Sequence, residues 1–166
     1  SVALLYKGKP QFGAVYKPMS SEFFHAFKGL GFFHNHKQLH PQKTHRTFRK
    51  AMLGTGFPFR DFQHLPVYLK IFEEVVRSTS GVRRPGSAAL DLAYVAAGWF
   101  DGFFEINLSK WDIAAGGLII REAGGIVSDF SEKDGWLESG NIVAANAKIY
   151  QPLMKIIKSH ITDKLN

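Results

Sequence analysis

The residues best suited to chemistry in this sequence are two carboxylates, Glu105 and Asp112, separated by six residues. Glu105 closes an apolar, aromatic run typical of a buried strand, and Asp112 comes where a helix is expected to begin. An Asp at a helix N-terminus accepts backbone N–H bonds and is stabilised by the helix dipole. Held at the mouth of a strand–loop–helix unit, the same carboxylate is also suited to a metal ion or a phosphate site. A plain helix cap is the alternative interpretation of Asp112.

A second candidate segment, Gly86-Ser87, lies at the start of a helix of small residues and directly follows Arg83-Arg84-Pro85. Free N–H groups at a helix start, with no bulky side chain nearby, allow a polar or anionic ligand to approach the backbone. Either arginine is placed to add positive charge. Ordinary helix capping and close helix packing explain the same residues, so this segment is a weak signal by itself.

Histidines offer a competing site, because five of them fall between positions 25 and 45: His25, His34, His36, His40 and His45. In a strand, two histidines in a His-x-His pair would face the same side and could chelate a transition metal. No carboxylate lies near them, which favours a polar surface crossing instead. Four aspartates receive structural interpretations: Asp61 as a helix cap, Asp101 as a turn residue, and Asp91 and Asp129 as structural carboxylates.

Composition limits the class of protein. The chain has 166 residues, 45% of them hydrophobic, which suits one globular domain with a sizeable core. It contains no cysteine, which excludes a disulfide scaffold or a thiolate site and is compatible with the cytoplasm. We identify no membrane-spanning run and no signal peptide. Because the sequence opens inside an apolar strand without Met, we interpret it as the later part of a longer protein.

The charge is concentrated at the front of the chain. Of the net charge of +7, the first 50 residues carry +8, and the remainder carries −1. A basic segment of this kind favours polyanions or phosphorylated substrates, although a solvated, solubilising surface explains it equally well.

The sequence changes character near residue 50. Before it, strand-like runs at residues 1–7, 12–16, 22–27 and 30–33 are separated by turn sequences, which predicts an antiparallel meander. Residues 34–50 are polar and predict an irregular crossing. We therefore assign residues 1–50 to the remnant of an N-terminal antiparallel-sheet region and residues 51–166 to a C-terminal α/β region. Because the early strands lack upstream partners, we expect an unpaired sheet edge there.

Beyond residue 50, strand and helix patterns alternate, which predicts a layered α/β sheet covered by helices. Apolar runs such as Phe103-Phe104 and Ile142-Val143 are typical of strands buried on both faces. Strands are predicted at residues 52–55, 81–84, 100–106, 126–129 and 141–145, and helices near residues 62–77, 87–97, 113–123 and 148–161.

Taken together, these segments resemble the inositol monophosphatase family, most strongly its bacterial cytoplasmic inositol-1-monophosphatases. The resemblance runs over nearly the whole chain and thins between residues 33 and 50. It is carried by the motifs Gly54-Thr55-Gly56-Phe57-Pro58-Phe59, Arg83 through Asp91, Asp101-Gly102-Phe103-Phe104-Glu105, Trp111 through Gly116, Glu122 through Phe130, and Gly140-Asn141-Ile142-Val143-Ala144.

The resemblance implies the C-terminal part of an α-β-α-β-α sandwich of the sugar phosphatase type and a Mg²⁺-dependent phosphatase acting on inositol monophosphate. It also implies a cytoplasmic homodimer when the protein is intact. In this family Asp112 would be a catalytic residue that binds both the metal and a substrate hydroxyl, and Glu105 would hydrogen-bond a substrate hydroxyl. The other implied substrate-binding residues are Gly86, Ser87 and Ala88, with Arg83 at the edge of the site or at the dimer interface.

The sequence departs from the family pattern in its metal ligands. The family's other metal carboxylates belong to an acidic pair and an Asp-Pro-x-Asp-Gly-Thr motif, and this sequence contains neither. We therefore expect the 166-residue chain to be inactive as a phosphatase by itself. Within the family, a bisphosphate nucleotidase or a sugar bisphosphatase is the alternative. Outside enzymology, relatives of this kind are associated with transcription antitermination, which would suit RNA, RNA polymerase or a Nus factor as the partner.

Overall fold

Short strands rich in apolar and aromatic residues build an antiparallel sheet near the start of the chain in the computed structural model, which describes residues 1–39, 46–59 and 62–161. The five strands follow one another in chain order, so that β1 and β5 are the edges. They are β1 (Val2–Tyr6), β2 (Lys9–Lys17), β3 (Glu22–Phe27), β4 (Gly31–His34) and β5 (Lys37–Leu39). The expected unpaired edge is therefore confirmed at β1.

Strand β5 corrects the sequence analysis, which predicted an irregular crossing from residue 34 onward. Asn35 adopts a left-handed backbone conformation (φ 53°), which Asn tolerates better than most residues. The turn it makes brings Lys37 opposite His34, and the chain pairs with β4 for three more residues.

The second sheet is mixed rather than wholly parallel. Strand β6 runs parallel to β7 and β8, whereas β10 runs antiparallel to β8 and β9. The order across the sheet is β7-β6-β8-β10-β9. The strands are β6 (Met52–Thr55), β7 (Gly81–Arg83), β8 (Gly102–Glu105), β9 (Ile126–Ser128) and β10 (Ile142–Ala145).

Five α-helices complete the described part of the chain: α1 (Leu65–Ser78), α2 (Ala88–Ala96), α3 (Lys110–Glu122), α4 (Trp136–Ser139) and α5 (Ala147–His160). Helices α2 and α3 lie between the two sheets, and α1 and α5 cover the other face of the second sheet. The predicted layered α/β arrangement is confirmed. The short helix α4 was not predicted.

The helix layer between the sheets joins them into one core. Phe24 and Phe32 of the first sheet belong to the same buried cluster as Phe103 of β8 and Ile113 of α3. The first sheet ends with Leu39 in β5, and the second begins with Met52 in β6. The assignment of two regions on either side of residue 50 stays a prediction. None of the helices in the described ranges is both long and apolar enough to cross a membrane.

Candidate active site

A cavity of about 270 Å³ opens where the carboxyl ends of three parallel strands meet the N-termini of two helices. The carboxyl ends of parallel strands share one sheet edge, which is the usual place for a ligand in such sheets. Residues leaving β6, β7 and β8 supply most of the wall, and α2 and α3 supply the rest. The lining consists of residues 55–59, Arg84, residues 86–88, Asp91, residues 105–108 and Asp112.

Glu105 is the last residue of β8, and its carboxylate fits against the backbone of Gly56 beyond β6. A Cβ atom built on Gly56 would lie 2.1 Å from the Oε1 atom of Glu105, closer than any real contact. Position 56 must therefore be Gly for this carboxylate to occupy its place. Glu105 is half-buried and faces the cavity.

Asp112 reaches the cavity from the first turn of α3. The Oδ2 atom of Asp112 accepts a hydrogen bond from the backbone N–H of Ser109 (3.1 Å). Ser109 is the N-cap, so the helix begins at Lys110 and Asp112 is its third residue. The predicted start near residue 113 was therefore late by one turn. Asp112 is half-buried, and it combines a capping role with exposure to the cavity.

The loop between Glu105 and Asp112 is held by the chain before β10. The backbone N–H of Asn107 donates to the Oδ1 atom of Asn141 (3.0 Å), and that of Leu108 donates to the carbonyl of Gly140 (2.9 Å). Asn107 has a left-handed backbone (φ 59°). These two bonds fix the loop that separates the two carboxylates.

The start of α2 forms the opposite wall from small residues. Gly86 has a positive φ of 96°, which lets the chain turn sharply out of β7. Ser87 is the N-cap, and its hydroxyl accepts a long hydrogen bond from the backbone N–H of Leu90 (3.5 Å). With Ala88 next in the chain, no bulky side chain screens this helix end from the cavity.

Arg84, rather than Arg83, lines the cavity. The guanidinium of Arg84 lies over the rings of Phe57 and Phe59, with 5.8 and 5.0 Å to their centroids. Such contacts hold a cation in place without neutralising it. Arg83 is exposed at the end of β7 and donates to the carbonyl of the preceding residue. The sequence analysis named Arg83 as the substrate-binding arginine, and the geometry favours its neighbour.

Asp91 was interpreted as structural, and the structure brings it to the cavity wall. Only 1% of its surface is exposed, and among the described residues none hydrogen-bonds its Oδ1 atom. Burial raises the pKa of this carboxyl to about 7, and the charge of Arg84 opposes that rise. The signal in the sequence was its position four residues after Ser87, on the same side of the helix.

The remaining singled-out carboxylates are structural. Asp101 accepts hydrogen bonds from the backbone N–H of Met52 (2.9 Å) and from Arg46 (3.0 Å). Asp129 accepts two backbone N–H bonds inside its own turn. The structural interpretation of Asp101 and Asp129 is therefore confirmed, and Asp61 lies outside the described residues.

The histidines do not form a metal site within the described ranges. The ring of His25 stacks on Phe33, with 5.0 Å between centroids, and that of His34 stacks on Phe24 at 4.5 Å. His36 lies in the turn after β4, so it does not share a strand face with His34. His40 and His45 lie outside the described residues.

The cavity offers carboxylate acceptors on one side and positive charge on the other, which suits a hydroxylated, phosphorylated ligand. Within residues 1–39, 46–59 and 62–161, no three His, Asp or Glu side chains lie close enough together to hold a metal ion. Mg²⁺ needs several oxygen ligands in near-octahedral geometry. The described residues therefore do not fit a complete Mg²⁺ site by themselves.

Known proteins match this chain over nearly its whole length. The model of the inositol monophosphatase family matches residues 1–162. A putative Nus factor SuhB from Neisseria meningitidis is 47% identical over 161 residues, covering 97% of this chain and 61% of that protein. The crystal structure of the extragenic suppressor protein SuhB from Bartonella henselae superimposes with a TM-score of 0.89 at 40% identity, over 96% of this chain and 60% of that one.

A third relative carries the enzyme's name. The structure of inositol monophosphatase from Anabaena superimposes with a TM-score of 0.86 at 34% identity, over 98% of this chain and 66% of that one. The chain thus spans about 61% of the length of the SuhB proteins that it matches.

Proposed function

The chain belongs to the inositol monophosphatase family, and on that premise we propose that it supplies the substrate-binding wall of a phosphate monoester hydrolase for phosphorylated polyols such as inositol monophosphate. The observation that carries the proposal is the meeting of Glu105, Asp112 and Arg84 with the start of α2 in one cavity. Carboxylates accept hydrogen bonds from sugar hydroxyls, whereas a guanidinium and helix N–H groups attract a phosphate.

In this proposal Asp112 also contributes one ligand to Mg²⁺. Such an ion, when bound, activates water and screens the leaving alkoxide. Because the described residues do not complete a metal site, the proposal assigns the other carboxylates to polypeptide beyond these 166 residues. This chain's own share is then to bind and orient the ligand through Glu105, Ser87 and Ala88.

Binding is tested by NMR titration of the purified chain with inositol monophosphate. We expect chemical-shift changes at Ser87, Ala88 and Glu105, with affinity about tenfold lower in Glu105→Ala because the acceptor for a ligand hydroxyl is lost. Glu138→Ala, outside the cavity, is the matched control and should bind as the parent does. Equal affinity in all three proteins would contradict the proposal. A nucleoside bisphosphate and a sugar bisphosphate, titrated in parallel, test the alternatives within the family.

Turnover is tested separately. We expect no Mg²⁺-dependent phosphate release from inositol monophosphate by the isolated chain above that of its Asp112→Asn variant. A single carboxylate cannot hold the Mg²⁺ that would offset the repulsion of a phosphate dianion and lower the pKa of the attacking water. Metal-dependent release that disappears in Asp112→Asn would show instead that this chain suffices.

A second function, binding of RNA in a transcription complex, is favoured by one observation. Lys7 in the turn after β1, Lys9 at the start of β2 and Lys28 in the turn after β3 line one further cavity of about 380 Å³. The same cavity is lined by Arg121, which pairs with Asp134, and by Glu122 and Glu138. Within the described ranges, none of the three lysines forms an ion pair. The relative from N. meningitidis is named as a putative Nus factor. A cluster of unpaired lysines is the usual basis of phosphate-backbone binding.

RNA binding is tested by fluorescence anisotropy across a salt series. We expect affinity that falls steeply with salt, survives Asp112→Asn, and drops at least tenfold when Lys7, Lys9 and Lys28 all become Ala. The control replaces Lys70, Lys148 and Lys155 with Ala, which changes the net charge equally elsewhere. No retention of RNA at low salt, or equal losses in both triple variants, would contradict this function.

The proposal also includes a cytoplasmic homodimer for the intact protein. Cell fractionation checks the compartment. Analytical ultracentrifugation of the longer protein checks the dimer, which would be contradicted by a monomeric mass at micromolar concentration.

A further inference from the structure

Asp91 is distinct from the other acidic residues in the described part of the chain. It lines the cavity with only 1% of its surface exposed, and its Oδ1 atom is the one buried carboxylate oxygen there without a hydrogen-bond partner. A buried polar atom left unpaired costs about 1–3 kcal/mol, so proteins seldom retain one without a use. The backbone N–H of Asp91 is already satisfied by the carbonyl of Ser87 (2.9 Å).

Small residues surround Asp91 where it lies at the cavity wall. Asp91 lies four residues after Ser87 and three after Ala88, so these three side chains project from the same side of α2. Ala88 ends at Cβ, and Gly86 has no side chain. No side chain at positions 86–88 is larger than that of Ser, so the start of α2 adds little bulk beside the carboxyl group.

The chemistry of the neighbourhood restricts what can reach that carboxyl. Arg84 lies over the aromatic wall formed by Phe57 and Phe59 and supplies the positive charge suited to a phosphate. In the described ranges, no three carboxylates or histidines cluster into a cation site. A neutral hydroxyl group, which donates one hydrogen bond and accepts another, matches the Asp91 carboxyl. Burial raises the pKa of Asp91 to about 7, and both forms of the carboxyl retain an acceptor oxygen.

We propose that Asp91 determines specificity by accepting, at its incompletely paired carboxyl group, a hydrogen bond from a carbon-bound hydroxyl of the ligand. The proposal rests on the proposed function of the cavity and extends it. The ligand class becomes phosphate monoesters of ring alcohols that carry a further hydroxyl group able to reach into the wall formed by α2. A phosphate ester of the same ring without hydroxyls would leave Asp91 unpaired.

The test compares two probes of similar shape, myo-inositol 1-phosphate and cyclohexyl phosphate, by NMR titration of the 166-residue chain. In the parent we expect tighter binding of the hydroxylated probe, and a ¹³C shift of the Asp91 carboxyl carbon with that probe alone. In Asp91→Ala the ratio of the two affinities should fall about tenfold, and affinity for cyclohexyl phosphate should stay within twofold. Asp91→Asn keeps an acceptor oxygen and should retain most of the ratio. Asp134→Ala, an aspartate outside this cavity, is the control.

The outcomes separate this proposal from the one on which it rests. An unchanged affinity ratio in Asp91→Ala, with both probes still bound, overturns the role of Asp91 and leaves the phosphate site standing. Failure of the parent chain to bind either probe overturns both. If Asp91→Ala does not fold, the ¹³C shift in the parent decides: the same shift with both probes, or none with either, overturns the role of Asp91.

Discussion

The two sheets of this protein are built from equally apolar strands but differ in how they are covered. The second sheet has α2 and α3 on one face and α1 and α5 on the other, and Leu53, Phe103 and Val143 are completely buried. Among the described residues, the first sheet has helices on one face alone. In β2, Gly13 and Val15 face α3, so the alternating residues Phe12 and Tyr16 face away from it. Leu4 of β1 pairs with Phe12 and therefore also faces away.

The uncovered face of the first sheet retains large apolar side chains. Val2 is 65% exposed, Leu4 62% and Tyr16 54%. Every residue that lines the candidate active site comes from the second sheet or from the segments attached to it. The difference teaches that a sheet buried on both faces fixes the site, and that the first sheet supports it through the helix layer of α2 and α3.

The largest expected effect comes from truncating one phenylalanine in each sheet. Phe103→Ala in β8 should lower the free energy of unfolding by about 3–5 kcal/mol, because a fully buried ring leaves a cavity. Phe27→Ala in β3, where the ring is 44% exposed, should cost about 1 kcal/mol. Urea unfolding of both variants checks this. Equal losses would mean that the outer face of the first sheet is covered in solution.

The next effect depends on pH and concerns the helix layer that the sheets share. The native pKa of Asp91 is raised to about 7 from its usual 3.8. Below about pH 4 the Asp91 carboxyl is protonated in both the folded and the unfolded protein. Between about pH 4 and pH 7 it ionises first in the unfolded protein, so rising pH favours unfolding. Asp91→Asn removes this loss in the free energy of unfolding, which is at most about 4 kcal/mol at pH 8. Thermal unfolding of both proteins from pH 4 to 8 should show the variant gaining relative stability as pH rises; a constant difference would contradict the raised pKa.

A smaller effect should follow from separating the first sheet from α3. A Cβ on Gly13 would lie 2.8 Å from the backbone of Ala115, which cannot move without the helix. Gly13→Ala should therefore lower the free energy of unfolding by about 1–3 kcal/mol and shift the NMR signals of Asp112 on the same helix. Ala14→Val adds volume on the opposite face and should do neither. Unchanged Asp112 signals in Gly13→Ala would contradict a coupling of the first sheet to the site through α3.

The smallest expected effect is local to the second sheet. Gly56→Ala would force the carboxylate of Glu105 out of its place and should weaken inositol monophosphate binding about tenfold, with little change in stability. Gly81→Ala is the matched control, because its Cβ would meet the flexible side chain of Met52 at 3.3 Å. Isothermal titration calorimetry compares the two. Equal affinities would show that the position of Glu105 does not govern binding.

Several elements were predictable because their signals are local. The turn sequences at Lys7-Gly8 and Lys28-Gly29, with the strand-like runs between such turns, predicted the first four strands. The apolar run before Glu105 and the caps around α2 and α3 predicted the elements of the site. The residues proposed from the resemblance, Glu105, Asp112 and the start of α2, all line one cavity. Their roles in binding and catalysis remain predictions.

What the sequence by itself determined is therefore the type and order of the elements, because hydrophobic period, caps and turn residues act within a few positions. Only the tertiary structure decided that Arg84 and not Arg83 enters the cavity, since successive residues at the end of a strand point to opposite sides. It also decided that Asp91 is buried and unpaired, and that one face of the first sheet is open. These properties depend on which surfaces from distant parts of the chain meet, and no local pattern encodes that.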